Sequence, residues 1–93
     1  MPPRCVAITG LGIISPLGLN LAANWESLRE GRCAIGPIQS VNLSLFGLRI
    51  MNGAEVRGFD ASKHFQAGRE DYLDRFAQFS VVAAREALQD SGL

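Results

Sequence analysis

Residues 71–91 carry the clearest pattern of polar and apolar positions in the chain. Placed at the 100° interval of an α-helix, their polar side chains fall within one arc of about 120°. Val82 is the exception, because it is apolar and lies among the charged residues. The pattern predicts one long helix from Asp71 to Ser91, closed by Gly92 in the left-handed conformation. The polar arc contains Asp71, Asp74, Arg75, Gln78, Arg85, Glu86 and Gln89.

The apolar side of this predicted helix is wide. It spans about 200°, which is more than a small domain needs for one packing surface. Such a helix needs neighbours on several sides, and the sequence supplies too few of them. We therefore expect a piece of a larger fold, with exposed apolar surface, low stability on its own and a tendency to aggregate or pair.

Residues 4–9 form a short apolar run without alternation, which is typical of a strand buried on both faces of a parallel sheet. The Gly-Leu-Gly motif of residues 10–12 follows at once and resembles the start of a dinucleotide-binding loop. That loop needs a third glycine where Ser15 stands, and Pro16 prevents a helix from beginning there. The alternative interpretation is that these glycines let the backbone turn tightly against a neighbour.

A first helix is predicted from residue 20 to residue 30. Asn20 suits its N-cap, and Gly31 suits a left-handed exit. Leu21, Trp25 and Leu28 repeat at helical spacing, so a narrow apolar stripe should face the protein, with the tryptophan as its anchor.

The middle of the chain has weaker signals. Residues 33–46 contain a Gly-Pro pair and several polar side chains, which favours irregular chain. Residues 48–56 are rich in strand-forming residues, interrupted by Asn52-Gly53, which favours a hairpin turn or a bulge. Asp60 suits the cap of a single helical turn through Phe65. The order of strand, helix, irregular strand and long helix predicts an α/β fold.

Composition excludes several classes of function. Nine acidic and nine basic residues give a net charge of zero, which argues against nucleic acid or an anionic membrane as a partner. Residues 5–24 are uncharged, but glycines and a proline interrupt them, so neither a membrane span nor a targeting segment is expected. We expect a cytoplasmic protein.

The residues that could carry chemistry are few. Cys5 and Cys33 lack the spacing of a disulfide framework or a metal site, and we expect them to be small buried hydrophobic residues in a reducing compartment. His64 has no cysteine or carboxylate at a catalytic or ligand spacing, so a surface or partly buried position is expected. The sequence predicts neither a metal nor a cofactor.

Several short motifs occur in an informative order. They are residues 4–12 (RCVAITGLG), 14–18 (ISPLG), 35–38 (IGPI), 73–79 (LDRFAQF) and 83–93 (AAREALQDSGL), together with Trp25, Leu28, Gly31 and Phe59-Asp60. In this order and spacing they resemble the opening of the β-ketoacyl-[acyl-carrier-protein] synthases. The resemblance covers nearly the whole chain, but only the first part of that family's catalytic domain.

The resemblance implies the N-terminal piece of a thiolase-like, layered αβαβα fold, with residues 1–93 as an incomplete part of the family's N-terminal domain. It implies a homodimer that catalyses decarboxylative Claisen condensation. An acyl group moves from its carrier protein to a cysteine. A malonyl carrier thioester then loses carbon dioxide, and the carbanion that forms attacks the acyl-enzyme. The family's nucleophilic cysteine and two histidines lie beyond Leu93. No residue of this chain therefore takes a catalytic role, and we expect the chain to be inactive alone.

The resemblance also implies contact with an acyl carrier protein. The family often has basic residues ahead of the long helix, where an acidic carrier docks. Residues 68–72 are mostly neutral or acidic here, which leaves Lys63 and Arg69 as the candidate contacts. Three alternatives stay open: a polyketide or other secondary-pathway synthase, a non-catalytic chain-length partner subunit in a heterodimer, and a small stand-alone α/β binding module.

Overall fold

The first helix has the ends that the sequence predicts. The computed structural model describes residues 2–42, 47 and 49–93, and α1 spans Leu21–Glu30 within them. The Asn20 side chain caps it by accepting a hydrogen bond from the Ala23 N–H at 2.8 Å. Gly31 closes it in the left-handed conformation, with φ of 69°. The ends of this helix are therefore determined by residues next to them in sequence, a polar N-cap and a C-terminal glycine.

The side of α1 that packs against the chain is not the predicted stripe. Trp25 and Leu28 are 60% and 61% exposed, whereas Asn24 and Ser27 are buried. The Ser27 hydroxyl donates to the Leu17 carbonyl at 2.7 Å. The segment before α1 lies against it with backbone polar groups, so a polar face turns inward to satisfy them. The prediction that Trp25 anchors the packing is wrong for this structure.

A tight turn precedes α1 and is attached to it by Asn24. Ser15 and Gly18 exchange two backbone hydrogen bonds of 3.0 and 3.1 Å. The Asn24 side-chain amide donates to the carbonyls of Gly18 and Asn20, at 2.9 and 2.8 Å. Its oxygen accepts a hydrogen bond from the Ser15 hydroxyl. The side chain of one buried asparagine therefore hydrogen-bonds both to the tight turn of residues 15–18 and to the N-terminus of α1.

Residues 4–9 do not form the predicted strand. They have no regular secondary structure, and Val6 and Ile8 are 90% and 82% exposed. A strand is defined by hydrogen bonds to a neighbour, and a buried parallel strand needs neighbours on both sides. No described strand lies beside this segment, so its apolar side chains remain in solvent.

The two strands that do form lie in the middle of the chain. β1 (Ile35–Pro37) pairs antiparallel with β2 (Asn52–Ala54), with Gly36 opposite Gly53. The prediction of irregular chain over residues 33–46 is therefore wrong at β1, and the Asn-Gly pair lies within a strand instead of forming a turn. Residues 43–46 and 48, which these predictions also covered, lie outside the described residues.

A carboxylate closes the end of this small sheet. Glu55 accepts hydrogen bonds from the Gln39 N–H at 3.0 Å and from the Ser40 N–H and hydroxyl. Partial desolvation raises the pKa of the Glu55 carboxyl, but these hydrogen bonds and the nearby charge of Arg57 outweigh it and lower the pKa below its ordinary value.

The predicted single turn after Asp60 is confirmed, although it ends at Lys63 and not at Phe65. A 3-10 turn spans Ala61–Lys63, and Asp60 Oδ1 accepts from the Ser62 N–H at 3.0 Å and from its hydroxyl at 2.6 Å. These two hydrogen bonds are the main reason that the pKa of Asp60 is lowered. His64 follows on the surface, as predicted.

The long helix begins later than predicted. A separate 3-10 turn spans Glu70–Tyr72, and α2 spans Arg75–Ser91. Leu73 lies between them with φ of −122° and ψ of 138°, an extended conformation that interrupts helical hydrogen bonding. The predicted start at Asp71 is therefore wrong, whereas the predicted end is confirmed by Gly92, with φ of 76°.

The side of α2 that faces the rest of the chain includes part of its polar arc. Val82, the apolar residue within the polar arc, is the buried hydrophobic residue of the described part. Phe76 on the apolar face is 72% exposed, and Leu88 is exposed as well. The radius of gyration is 17.1 Å, against about 12 Å for a compact domain of this length. The chain is a mixed helix-and-strand piece with large apolar side chains uncovered on both helices, as predicted.

Candidate functional site

A surface cleft lies between α2 and the irregular segment that precedes it. Its volume is about 480 Å³. Neither aspartate nor glutamate lines it, although the chain as a whole has equal numbers of acids and bases. We call it the cationic cleft, and its lining residues are His64, Phe65, Gln66, Arg69, Tyr72, Leu73, Val81 and Arg85.

Arg85 is held in a defined position on one wall of the cleft. Its Nη1 donates to the His64 carbonyl at 2.6 Å, and its guanidinium carbon lies 5.2 Å from the centre of the Phe65 ring. A hydrogen bond and a cation–π contact together restrain a side chain that would otherwise be mobile. The remaining guanidinium donors stay available to an anionic group.

The wall that carries His64 is built from aromatic packing. The His64 ring stacks on Phe59, with centroids 5.3 Å apart and an interplanar angle of 5°. Phe59 in turn meets Phe79 of α2 edge-on at 4.9 Å. Arg75 lies 5.0 Å above the Phe79 ring and donates to the Val56 carbonyl at 2.9 Å. These contacts attach the segment before α2 to the helix.

The structure separates the two predicted contact residues. Arg69 lines the cationic cleft, and its N–H donates to the Gln66 carbonyl at 2.9 Å. Lys63 ends the preceding 3-10 turn and lies outside the lining, close enough to Asp60 to help lower the pKa of that carboxyl. Within the described ranges, neither cation forms an ion pair with a carboxylate.

Arg85 is the cleft residue that sequence reasoning missed. Its position in the polar arc of the helix was the available signal, but the arc alone does not say which polar residues meet another segment. The cleft forms because residues 64–73 fold back along α2. One contact that holds this return is the hydrogen bond from the Gln78 side chain to the Glu70 carbonyl, at 2.8 Å.

The residues with nucleophilic or ligating potential are scattered. Cys5 and Cys33 are both exposed free thiols, so the prediction that they are buried is wrong. Each lies in a segment that no described element covers. The described part of the chain contains no cluster of three or more histidine, cysteine, aspartate or glutamate side chains arranged to hold a metal ion.

None of the helices that the structure describes is long and apolar enough to span a bilayer.

Comparison with known proteins gives consistent matches. The family model described as "Beta-ketoacyl synthase, N-terminal domain" matches residues 4–93. A 3-oxoacyl-[acyl-carrier-protein] synthase 2 of Synechocystis sp. is 40% identical over 88 residues, which cover 95% of this chain and 21% of the relative. The protein of the same name from Coxiella burnetii is 40% identical over 93 residues, which cover 100% of this chain and 22% of the relative.

A more distant relative of the same name, from Staphylococcus aureus, is 32% identical over 88 residues and 21% of its length. The chain thus spans about a fifth of the length of the curated relatives that it matches. The family model covers nearly all of the chain, and the chain therefore belongs to the β-ketoacyl synthase family.

Proposed function

We propose that residues 1–93 form the N-terminal part of the N-terminal domain of a 3-oxoacyl-[acyl-carrier-protein] synthase. The proposed reaction is the decarboxylative condensation of an acyl thioester with a malonyl group on its carrier protein, in fatty acid or polyketide synthesis. The match of the family model over residues 4–93 carries this proposal. The identity of 40% with two proteins named as such synthases supports it.

The condensation needs groups that the described residues do not bring together. It needs a thiolate, donors for a thioester oxyanion and imidazoles that polarise the malonyl carbonyl. Cys5 and Cys33 are exposed, and His64 stacks on an aromatic ring instead of meeting a thiol. We infer that these 93 residues act as scaffold and partner surface, and that the reacting groups belong to the rest of the synthase.

The uncovered apolar surface supports the same view. Residues 4–9 lack strand partners, and Trp25 of α1 and Phe76 of α2 are exposed. The matched relatives are about five times longer than the matched segment. We propose that further polypeptide pairs with residues 4–9, completes a layered αβαβα fold and covers both helices in a cytoplasmic homodimer.

The cationic cleft is the proposed contact with the acyl carrier protein. Arg69 and Lys63 remain the contacts proposed from sequence, and the geometry adds Arg85. A guanidinium binds a carboxylate in a planar, two-point arrangement, and two of them share a cleft that has no acidic lining residue. The exposed Tyr72 ring adds apolar area of the kind enriched at protein interfaces.

A chimera tests the proposed reaction. Residues 4–93 would replace the matched segment of the Synechocystis synthase, and condensation would be measured with acyl- and malonyl-carrier protein as substrates. We expect a dimeric chimera with turnover within about tenfold of the parent, because the segments are 40% identical and a core tolerates hydrophobic substitutions that keep its volume and pattern. A dimeric, folded chimera without condensation activity would contradict the proposal.

The carrier contact is tested separately in that chimera by R69Q and R85Q. Each should raise the KM for the acyl-carrier protein about two- to fivefold, the effect of one exposed ion pair. The rate with a carrier-free pantetheine thioester should stay unchanged. R57Q is the matched control, since Arg57 is an exposed arginine that also donates to a carbonyl, that of Pro37, but lies outside the cleft. Equal KM values for all variants would show that the carrier protein does not bind at the cleft.

A further inference from the structure

Two carboxylates of α2, Glu86 in the polar arc and Asp90 beside that arc, accept hydrogen bonds from backbone amides that are distant in sequence. Asp90 Oδ2 accepts from the Leu11 N–H at 3.0 Å. Glu86 Oε1 accepts from the Ile13 N–H at 3.0 Å. Glu86 also accepts from the Leu21 N–H, through Oε2 at 2.9 Å and Oε1 at 3.2 Å. Three amides that are 65 to 79 residues away in sequence are therefore satisfied by two side chains of one helix.

The spacing of these contacts follows from the geometry of helix and extended chain. Positions 86 and 90 are one helical turn apart, about 6 Å along the axis. Positions 11 and 13 are two residues apart, about 6.6 Å along an extended chain. Two carboxylates at this helical spacing can therefore bind alternate amides of a segment that runs along the helix. Residue 11 meets position 90 and residue 13 meets position 86, so the segment runs antiparallel to α2.

The Gly-Leu-Gly motif fits into the same contact. A Cβ on Gly12 would lie 2.0 Å from the Ala83 carbonyl oxygen, and one on Gly10 would lie 2.2 Å from the Ala87 carbonyl oxygen. Neither glycine has a positive φ, so space rather than backbone conformation requires glycine here. This geometry supports the interpretation that the motif packs tightly against a neighbouring element.

Leu21 is the first residue of α1, and its N–H has no partner within that helix. Glu86 supplies the partner from α2. We infer that Glu86 and Asp90 are positioning residues that set the register of residues 10–13 on α2 and fix the start of α1. Glu86 connects α2 with residues 10–13 and with the start of α1, and it uses both of its carboxylate oxygens. Asp90 uses only one oxygen. The inference rests on contacts within the 93 residues and is independent of the proposed condensation.

The two carboxylates should differ when each is changed to its amide. An asparagine at position 90 keeps one oxygen acceptor for the Leu11 N–H. A glutamine at position 86 keeps one oxygen for the two amides, and its NH2 group meets the second donor. Leaving a donor unpaired costs more than weakening one hydrogen bond.

Amide hydrogen exchange of the full 93-residue chain tests this difference by NMR. E86Q should speed exchange at Ile13 and Leu21 on the order of tenfold, whereas D90N should change Leu11 by less than about threefold. E26Q is the matched control, since Glu26 is an exposed helical glutamate that pairs with Arg29 at 3.8 Å. The inference is overturned if the Leu21 N–H of the unsubstituted chain exchanges like an unstructured peptide, or if E86Q leaves both amides unchanged.

A second pair of variants removes the donor instead of the acceptor. Proline is favoured at the first position of a helix, and Asn20, with φ of −154° and ψ of 175°, already has the conformation that precedes proline. L21P therefore deletes the N–H that Glu86 binds, while L21A keeps that N–H and only shortens the side chain.

A double-mutant cycle then isolates the hydrogen bond. E86Q should lower the midpoint of urea unfolding clearly less in the L21P background than in the L21A background. If E86Q alone prevents folding, L21P itself should recover more folded protein in the E86Q chain than L21A does. Equal effects of E86Q in both backgrounds would show that Glu86 does not act through the Leu21 amide, and would overturn the inference.

Discussion

The two faces of α2 differ in how their side chains meet the rest of the chain. On the polar side, Glu86 and the neighbouring Asp90 accept hydrogen bonds from backbone amides, and Arg85 donates to the carbonyl of His64. On the apolar side, the large residues Phe76 and Leu88 are exposed to solvent, whereas the small residues 83 and 87 pack against residues 10–12. In most amphipathic helices the apolar face packs and the polar face is hydrated.

The difference reflects which chemical groups the segments beside this helix present to it. The segments beside this side of α2 are irregular chain and the start of α1, whose backbone amides and carbonyls have no partner in a strand ladder or within a helix. Charged and amide side chains satisfy such groups, whereas leucine and phenylalanine do not. Val82 is buried, although it lies within the polar arc, because that part of the arc packs against the chain.

The largest expected effect comes from placing a methyl group between residues 10–13 and α2. In G12A the new methyl group would meet the Ala83 carbonyl oxygen at 2.0 Å, so the segment must move away from α2. We expect a loss of about 3 kcal/mol in the free energy of unfolding, measured by urea denaturation. G36A is the control, because nothing lies within 4 Å of a Cβ there. A G12A chain as stable as G36A would refute the close contact.

The next effect concerns the buried amide of α1. N24A would leave the Ser15 hydroxyl without its acceptor and remove one of the two hydrogen bonds to the Gly18 carbonyl, which should cost about 2 kcal/mol. N52A on the exposed surface of β2 should change the free energy of unfolding by less than about 0.5 kcal/mol. Urea denaturation of both variants compares the buried position with the exposed one, and equal losses would contradict the role of Asn24.

A smaller effect on stability is expected on the apolar face. F76Q should change the free energy of unfolding by less than about 0.5 kcal/mol, but it should reduce self-association measured by sedimentation velocity, because it removes exposed apolar area. F79Q is the contrast, since Phe79 is half-buried against Phe59 and should cost about 2 kcal/mol. Unchanged association in F76Q would show that the exposed face does not drive pairing.

The smallest expected effect concerns pH. The pKa of Glu55 is lowered in the folded chain, so its stabilising contribution is complete above the ordinary carboxyl pKa and is lost as the pH falls through the lowered one. E55Q should therefore show less acid destabilisation than the unsubstituted chain in thermal melts between pH 7 and pH 3. E26Q is the control, because Glu26 accepts no described backbone hydrogen bond. Identical pH profiles for E55Q and the unsubstituted chain would contradict the assignment.

The candidate site was predictable only in part. The sequence indicates Lys63 and Arg69 as cations ahead of the long helix. It does not show that Arg69 lines the cleft together with Arg85 while Lys63 lies outside it, because this depends on how residues 64–73 fold back along α2. The predicted hairpin turn at Asn52-Gly53 failed for a related reason. Turn preference at one dipeptide is small, and pairing with β1 across the sheet overrides it.

The sequence by itself determines both ends of α1, the C-terminal end of α2 and the division of α2 into a polar and an apolar arc. Asn20, Gly31 and Gly92 act within one turn of chain, so their effects do not depend on distant contacts. Only the tertiary structure decided which face of each helix turned inward, because that choice depends on what lies opposite. Here backbone amides and carbonyls lie opposite, and hydrogen-bonding side chains are their natural partners.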